Sequence, residues 1–180
     1  IKNVALMLFI LTCSPVKAGE IFFAVQDQQG NSFVGESNQA GFESKIQAVK
    51  YQSEFINFRE TAAGQIVQGK GPSHGPIKLT KKLGAASPSF LRALTENEPL
   101  TIMIDFVSPH RTGRKIATHS LILQNSKLSS IKQYSEPMGS NLGHVIILEE
   151  MTFTFENFEL KNLLGVPSSR KNSLPRLRRK

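Results

Sequence analysis

The sequence predicts a mainly β fold with one short helix, on three observations. Short apolar runs of strand length recur along the chain, bounded by Gly, Pro, Asn and Asp. Only one segment carries helix punctuation, a Ser-Pro start at Ser87 and Pro88 and a stop at Pro99. The 180 residues suit one domain with tails, and a single Cys rules out a disulfide framework or a multi-thiolate metal site.

The elements follow in order. Residues 20–26 (EIFFAVQ) form an apolar run ended by a turn containing Gly30. Residues 41–58 carry Phe42, Ile46, Tyr51, Phe55 and Phe58 without helical spacing and read as extended. Residues 57–76 have no clear pattern but hold Gly64, Gly69, Gly71, Pro72, Gly75 and Pro76. A patternless loop of that length inside a compact domain points to a partner or a function. Ile77 and Leu79 then alternate with polar residues.

Ser87 is placed to cap the helix and Pro88 takes the first helical position, where its missing N–H costs little. Phe90, Leu91 and Leu94 make the predicted apolar stripe, which must dock on a β-barrel or sandwich. Residues 100–107 are rich in β-branched side chains. Residues 115–124 and 127–134 read as two strands of a hairpin turning at Asn125 and Ser126. Residues 144–160 form the longest strand run. There Met151, Phe153 and Phe155 hold one phase and Phe158 and Leu160 the other, so a bulge near Glu156 is expected to bring all five to one face.

The formal charge of +8 is confined to the ends. Between Gly19 and Leu164 acids and bases balance at 14 each. The body therefore lacks the basic face of a nucleic-acid binder, and no specific nucleic-acid partner is expected. At the N-terminal end, Lys2, an apolar run at residues 4–11 and Val16-Lys17-Ala18 have the form of a secretory signal peptide. Cleavage is expected after Ala18, starting the exported chain at Gly19 and leaving a cysteine-free body. Residues 163–180 hold six bases and no acid and are expected to be a disordered tail, available to an anionic surface.

Chemistry is hard to find. His74, His110, His119 and His144 do not pair at metal-ligand spacing, and there is no nucleophile elbow or dinucleotide fingerprint. Gly69-Lys70-Gly71 is too short to cradle a phosphate. Glu149 and Glu150 are adjacent on a strand and point to opposite faces. No catalytic residue, metal or cofactor is expected.

The succession of segments resembles a known family. A Gly-rich loop leads to GPIKLTKKLGAASPSFLRALTENEPL at residues 75–100, then strands, KLSSIKQY at 127–134 and a terminal LEEMTFTFENFEL at 148–160. In that order they resemble the haemolysin-coregulated protein family, the Hcp tube subunits of bacterial type VI secretion. The resemblance spans residues 21–162. It implies a β-barrel of two sheets with one short helix packed beside it, over a domain at residues 19–162. It also implies a non-enzymatic structural subunit forming homohexameric rings that can stack into a tube, with a spike protein and small effectors as partners. The loop implied to reach a neighbouring subunit holds Gln65, Ile66, Gly69, Lys70 and His74. The alternative is a Sec-exported monomeric binding module on the same barrel. The signal-like N-terminal end points to export, whereas the family resemblance implies cytoplasmic assembly followed by type VI secretion.

Overall fold

The computed structural model describes residues 19–56, 61–62, 65–66, 73–138 and 144–164. Eleven strands and one helix follow in order: β1 Glu20–Gln26, β2 Ile46–Gln52, β3 Phe55–Ile56, β4 Thr61–Ala62, β5 Gln65–Ile66, β6 Ser73–His74, β7 Ile77–Lys82, α1 Ser87–Thr95, β8 Leu100–Pro109, β9 Lys115–Pro137, β10 Val145–Thr154 and β11 Asn157–Asn162. Seven of the strands form one antiparallel sheet in the order β10-β7-β2-β1-β8-β9-β11, and β9 also pairs with β10. The pairings therefore close into a ring around one apolar core, which matches the mainly β class with a single helix.

Closure depends on β9. Residues 115–126 of β9 pair with β8, and residues 119–124 also pair with β11, whereas residues 127–137 pair with β10. The expected hairpin at Asn125 and Ser126 does not form, because β9 runs straight through them for 23 residues. Asn125 instead takes φ 50°. That left-handed conformation is one Asn tolerates better than most residues. A single such residue flips the side-chain phase without reversing the chain. Leu121 and Leu123 are buried before it, Ser126 and Leu128 after it.

The facing strand makes the same flip. Thr154 pairs with Lys127 and Asn157 with Gln124, so three residues are spent on each side and the register does not slip. Asn125 Nδ2 donates to Glu156 Oε2 at 3.0 Å across the break. The phase change expected near Glu156 is thus made jointly by two strands, and no bulge lies there. The register shift lies earlier, between Thr152 and Phe153. Phe153 and Phe155 are buried, Phe158 packs against the same core, and Leu160 remains exposed.

The helix docks by a different stripe from the one expected. Phe90 and Ala93 are fully buried and Leu94 packs partly against the core, but Leu91 is 46% exposed. The reason is i,i+3 spacing: Ser87, Phe90 and Ala93 share one line along the helix. The Phe90 ring lies 5.1 Å from Phe33 and 6.3 Å from both Phe23 and Phe153, centroid to centroid.

Ser87 does not cap the helix as expected; Ala86 holds that position, with Pro88 in the first turn. The Ser87 hydroxyl is taken by a buried ion pair. Lys81 Nζ on β7 lies 2.5 Å from Glu149 Oε2 on the neighbouring β10, both side chains being about as buried as Phe90. The ammonium also donates to Ser87 Oγ at 2.7 Å and to the Lys82 carbonyl at 3.0 Å, which uses all three of its protons. Ser87 donates to Glu149 Oε2 at 2.6 Å, and Gln133 Nε2 donates to Oε1 at 2.7 Å. Every member is satisfied, the condition on which a buried charge pair is tolerated.

A second, smaller cluster lies on the outer side of β1. Phe22 stacks on Phe42 at 4.9 Å beside Val107. Lys45 reaches Asp105 at 2.5 Å from the same excursion. Its return is possible because residue 35 is Gly: a Cβ there would stand 2.2 Å from the backbone of Lys45.

Phe90→Ala should destabilise the fold by ~3–5 kcal/mol, the cost of a large core truncation, and Leu91→Ala by only a few tenths. Urea denaturation of the pair measures this, and equal losses would place the docked face wrongly. Burial by itself raises the Glu149 carboxyl, but hydrogen bonds from Lys81, Ser87 and Gln133 and the Lys81 charge outweigh it and hold it below its ordinary 4.5. Its contribution is therefore complete above about pH 4.5 and is lost as the pH falls through the lower folded value. Glu149→Ala should cost ~3–5 kcal/mol at pH 7, because Lys81 stays buried without its counter-charge. The double variant Lys81→Met with Glu149→Leu should recover most of that loss and flatten the acid limb of the pH–stability curve.

Candidate functional site

The end of the strand ring opposite the helix carries an aromatic base and an apolar cleft. Along the continuous β10–β11 path, Glu149 lies at the helix end and Leu160 at the cleft end. The excursion between β2 and β7 starts and finishes there. Its root is the β3–β6 ladder, in which Phe55 pairs with His74 and Ile56 with Ser73. Thr61 pairs with Ile66 and Ala62 with Gln65 in a second two-residue ladder, which lies within the first in sequence order. The expectation of a patternless loop at residues 57–76 is thus corrected in part: its described residues form short strands.

The root is fastened to β11 and its approach by rings. His74 stacks on Phe155 with centroids 4.1 Å apart and planes 13° apart, and lies edge-on to Phe158 at 6.2 Å. Phe55 lies 5.2 Å from Phe158, and Phe155 and Phe158 are 5.9 Å apart. Stacking of this kind adds ~0.5–1.5 kcal/mol per pair beyond the area it buries. Beside it, Tyr51, Phe55, Phe106, His119, Leu121, Phe158 and Leu160 line a cleft of about 490 Å³. Tyr51 meets Phe106 edge to face at 5.1 Å. Burial pushes the Tyr51 phenol above its ordinary value, with Ser53 opposing the shift in part.

The residues singled out from the sequence fall as follows. Gln65 and Ile66 are in β5 and His74 is in β6, in two separate ladders. Gly69 and Lys70 lie outside the described residues, as do Ala18 and the expected tail from 165 onward. Gly19 is the first described residue, directly before β1. His119 is half-buried in the cleft, with Nδ1 3.2 Å from Thr118 Oγ1. His110 sits in the exposed β8–β9 turn against Thr112. Glu149 and Glu150 do face apart: Glu149 meets Lys81 inside, and Glu150 lies 3.8 Å from Lys78 in a part-exposed pair. Among the described residues no group of three His, Cys, Asp or Glu could hold a metal ion.

Sequence reasoning missed the quartet of Lys81, Ser87, Gln133 and Glu149. The signal was present. Lys81 shares the phase of Ile77 and Leu79, and Glu149 that of Met151 and Phe153, so opposite charges stood on buried phases of two strands. The cleft was missed because it needs the positions of β2, β3, β8, β9 and β11 together.

A closed, mainly β domain with one helix at one end and a short antiparallel ladder rooted at the other is the class that the fold defines. The profile of the family described as "Type VI secretion system effector, Hcp" matches residues 22–161. The chain belongs to this family. A curated relative, the "Major exported protein" of Pseudomonas aeruginosa, is 28% identical over 127 residues, covering 68% of this chain and 71% of the relative. A crystal structure of an Hcp protein superposes with a TM-score of 0.71 at 15% identity, over 82% of this chain and 94% of the other. Hcp3 of Pseudomonas aeruginosa gives 0.63 at 18% identity, over 82% and 92%. A chain of the anti-feeding prophage baseplate gives 0.53 at 11% identity, over 84% and 98%. At such identities the structural matches establish the fold.

Removing the His74 ring should loosen the hairpin at its root and leave the core intact. His74→Ala is expected to cost ~1 kcal/mol and to speed amide exchange at Phe55 and Ile56. Unchanged exchange there, measured by mass spectrometry, would mean that the stack does not fasten the excursion.

Proposed function

We propose that the chain is a non-enzymatic structural subunit that assembles into six-membered rings of a type VI secretion tube. The family match across residues 22–161 carries this reading. Two further findings support it. The structural neighbours include a baseplate chain from a six-fold symmetrised assembly. The β3–β6 ladder is rooted by aromatic stacking at one end of the ring of strands, where a segment must be held if it is to reach another subunit. In a ring, one surface of each subunit meets a different surface of the next, and closure follows from the rotation between them. The segment holding Gln65, Ile66, Gly69, Lys70 and His74 is the one assigned to that contact.

Stacking of rings into a tube, a spike protein at its end and small effectors as cargo belong to the same reading. Export is supported by the relative named as a major exported protein. Residues 1–18 are read as a cleaved signal peptide, with Gly19 starting the exported chain, and residues 163–180 as a tail for an anionic surface.

Light scattering coupled to size exclusion tests the assembly. The chain should elute at about six times 19.9 kDa. Replacing residues 57–72 by a Gly-Ser linker, which keeps the β3–β6 ladder, should give monomers with unchanged far-ultraviolet circular dichroism. An intact chain that is monomeric at high micromolar concentration would overturn the ring and leave an exported binding module. Intact mass of the exported protein checks the start at Gly19.

A further inference from the structure

The β8–β9 turn and the end of β11 lie near each other at the cleft end, since β9 begins there against both strands. The turn is fastened by its own backbone. The His110 N–H donates to the Arg114 carbonyl at 2.7 Å, and the Gly113 N–H to the His110 carbonyl at 2.9 Å. Gly113 takes φ 79°, which a residue with a side chain would adopt only under strain. The arginine side chains are not needed to hold this turn, and both are exposed. Lys115 is tied to Glu20 at 2.7 Å. Neither Arg111 nor Arg114 makes an ion pair among the described residues.

Two consecutive leucines are fixed close by. The Leu163 N–H donates to the Thr118 carbonyl at 2.9 Å, and the Leu164 N–H to Asn162 Oδ1 at 2.9 Å. Their backbone is held to the barrel, yet their side chains are 49% and 53% exposed. Residues 165–180, with six bases and no acid, continue directly from them. Of the acids around this end, Glu20 and Glu159 are matched by Lys115 and Lys161, and the Glu43 carboxylate accepts from the Gly41 N–H. Glu54 is left exposed. The balance of unmatched charge is positive.

Unpaired guanidinium groups suit any phosphate, which they grip with two parallel hydrogen bonds. Exposed leucines beside them narrow the partner. Against a nucleic acid or a soluble phosphate they would stay in water, whereas a bilayer interface offers phosphates and hydrocarbon together. A basic cluster next to an apolar anchor is the pattern that anionic lipids attract.

We propose that the cleft end seats on an anionic phospholipid bilayer, with Arg111 and Arg114 on lipid phosphates and Leu163 and Leu164 at the boundary between head groups and acyl chains. The inference rests on the reading of residues 163–180 as a tail for an anionic surface. It adds a folded part to that surface contact and names the surface.

Full-length protein is sedimented with vesicles of equimolar phosphatidylglycerol and phosphatidylcholine, and with vesicles of phosphatidylcholine alone, at about 0.1 M salt. Three full-length variants are compared: Arg111→Ser with Arg114→Ser, Leu163→Ser with Leu164→Ser, and a chain with the six bases of residues 165–180 changed to Gln. All keep residues 1–18 unchanged, so differences among them report the folded end and the tail. Far-ultraviolet circular dichroism should be the same for all. Wild type should prefer the anionic vesicles. The arginine pair should weaken that binding at least ten-fold, from roughly five-fold for each cation at such a surface. The leucine pair should weaken it three-fold or more, and the Gln variant should bind less tightly than wild type. No preference for anionic vesicles by folded wild type would overturn the seat. Binding lowered by the Gln variant but not by the arginine pair would overturn it and leave the tail reading standing. Binding lowered by the arginine and leucine pairs but not by the Gln variant would support the seat and remove the tail from it. Loss in the arginine pair with none in the leucine pair would mark a general polyanion site and overturn the bilayer as partner.

Discussion

A ring of strands can close only if some strand serves two sets of neighbours, and in this chain β9 does so. Residues 115–126 follow β8 and β11, and residues 127–137 follow β10. The two parts must present opposite side-chain phases to the interior, because the sheet bends between them. Asn125 supplies the change with one left-handed residue, and Glu156 supplies it on the facing strand. The buried aromatics, the docked helix and the cleft all take their positions from that paired break.

The break also separates two chemical environments. On the helix side Phe90 and Ala93 are buried in the interior, and a charged pair is admitted because Ser87, Gln133 and the Lys82 carbonyl complete its hydrogen bonds. On the cleft side the interior is left unfilled, with rings standing edge-on around it. The buried charge pair and the open cleft thereby lie at different ends of one domain. The hairpin rooted by His74 on Phe155 belongs to the second end.

Much of the fold was legible in the sequence. The run at residues 20–26 coincides with β1, and the helix starts at Ser87 and stops before Pro99 as its punctuation implies. What failed has physical causes. Asn125 and Ser126 look like a turn because Asn favours left-handed geometry, and that geometry is present, but it bends a strand instead of reversing it. Ser87 looks like a cap because Ser usually is one, yet a buried ammonium across the sheet took its hydroxyl first. Leu91 looks like core from hydrophobicity alone, whereas the small Ala93 fits closer to the sheet. The cleft was invisible for a different reason. It belongs to five strands whose pairing is not written in any one of them.

Lys81 and Glu149 stand directly opposite each other on adjacent strands. Change at either position alone passes through a state with a buried, uncompensated charge, which costs a large share of the ~5–15 kcal/mol that holds a domain together. An apolar pair of similar volume is open to the chain only if both positions change together. The two codons are therefore bound to one another in descent: lineages carrying this domain should keep the pair or lose it whole, with half-changed intermediates removed before they can spread.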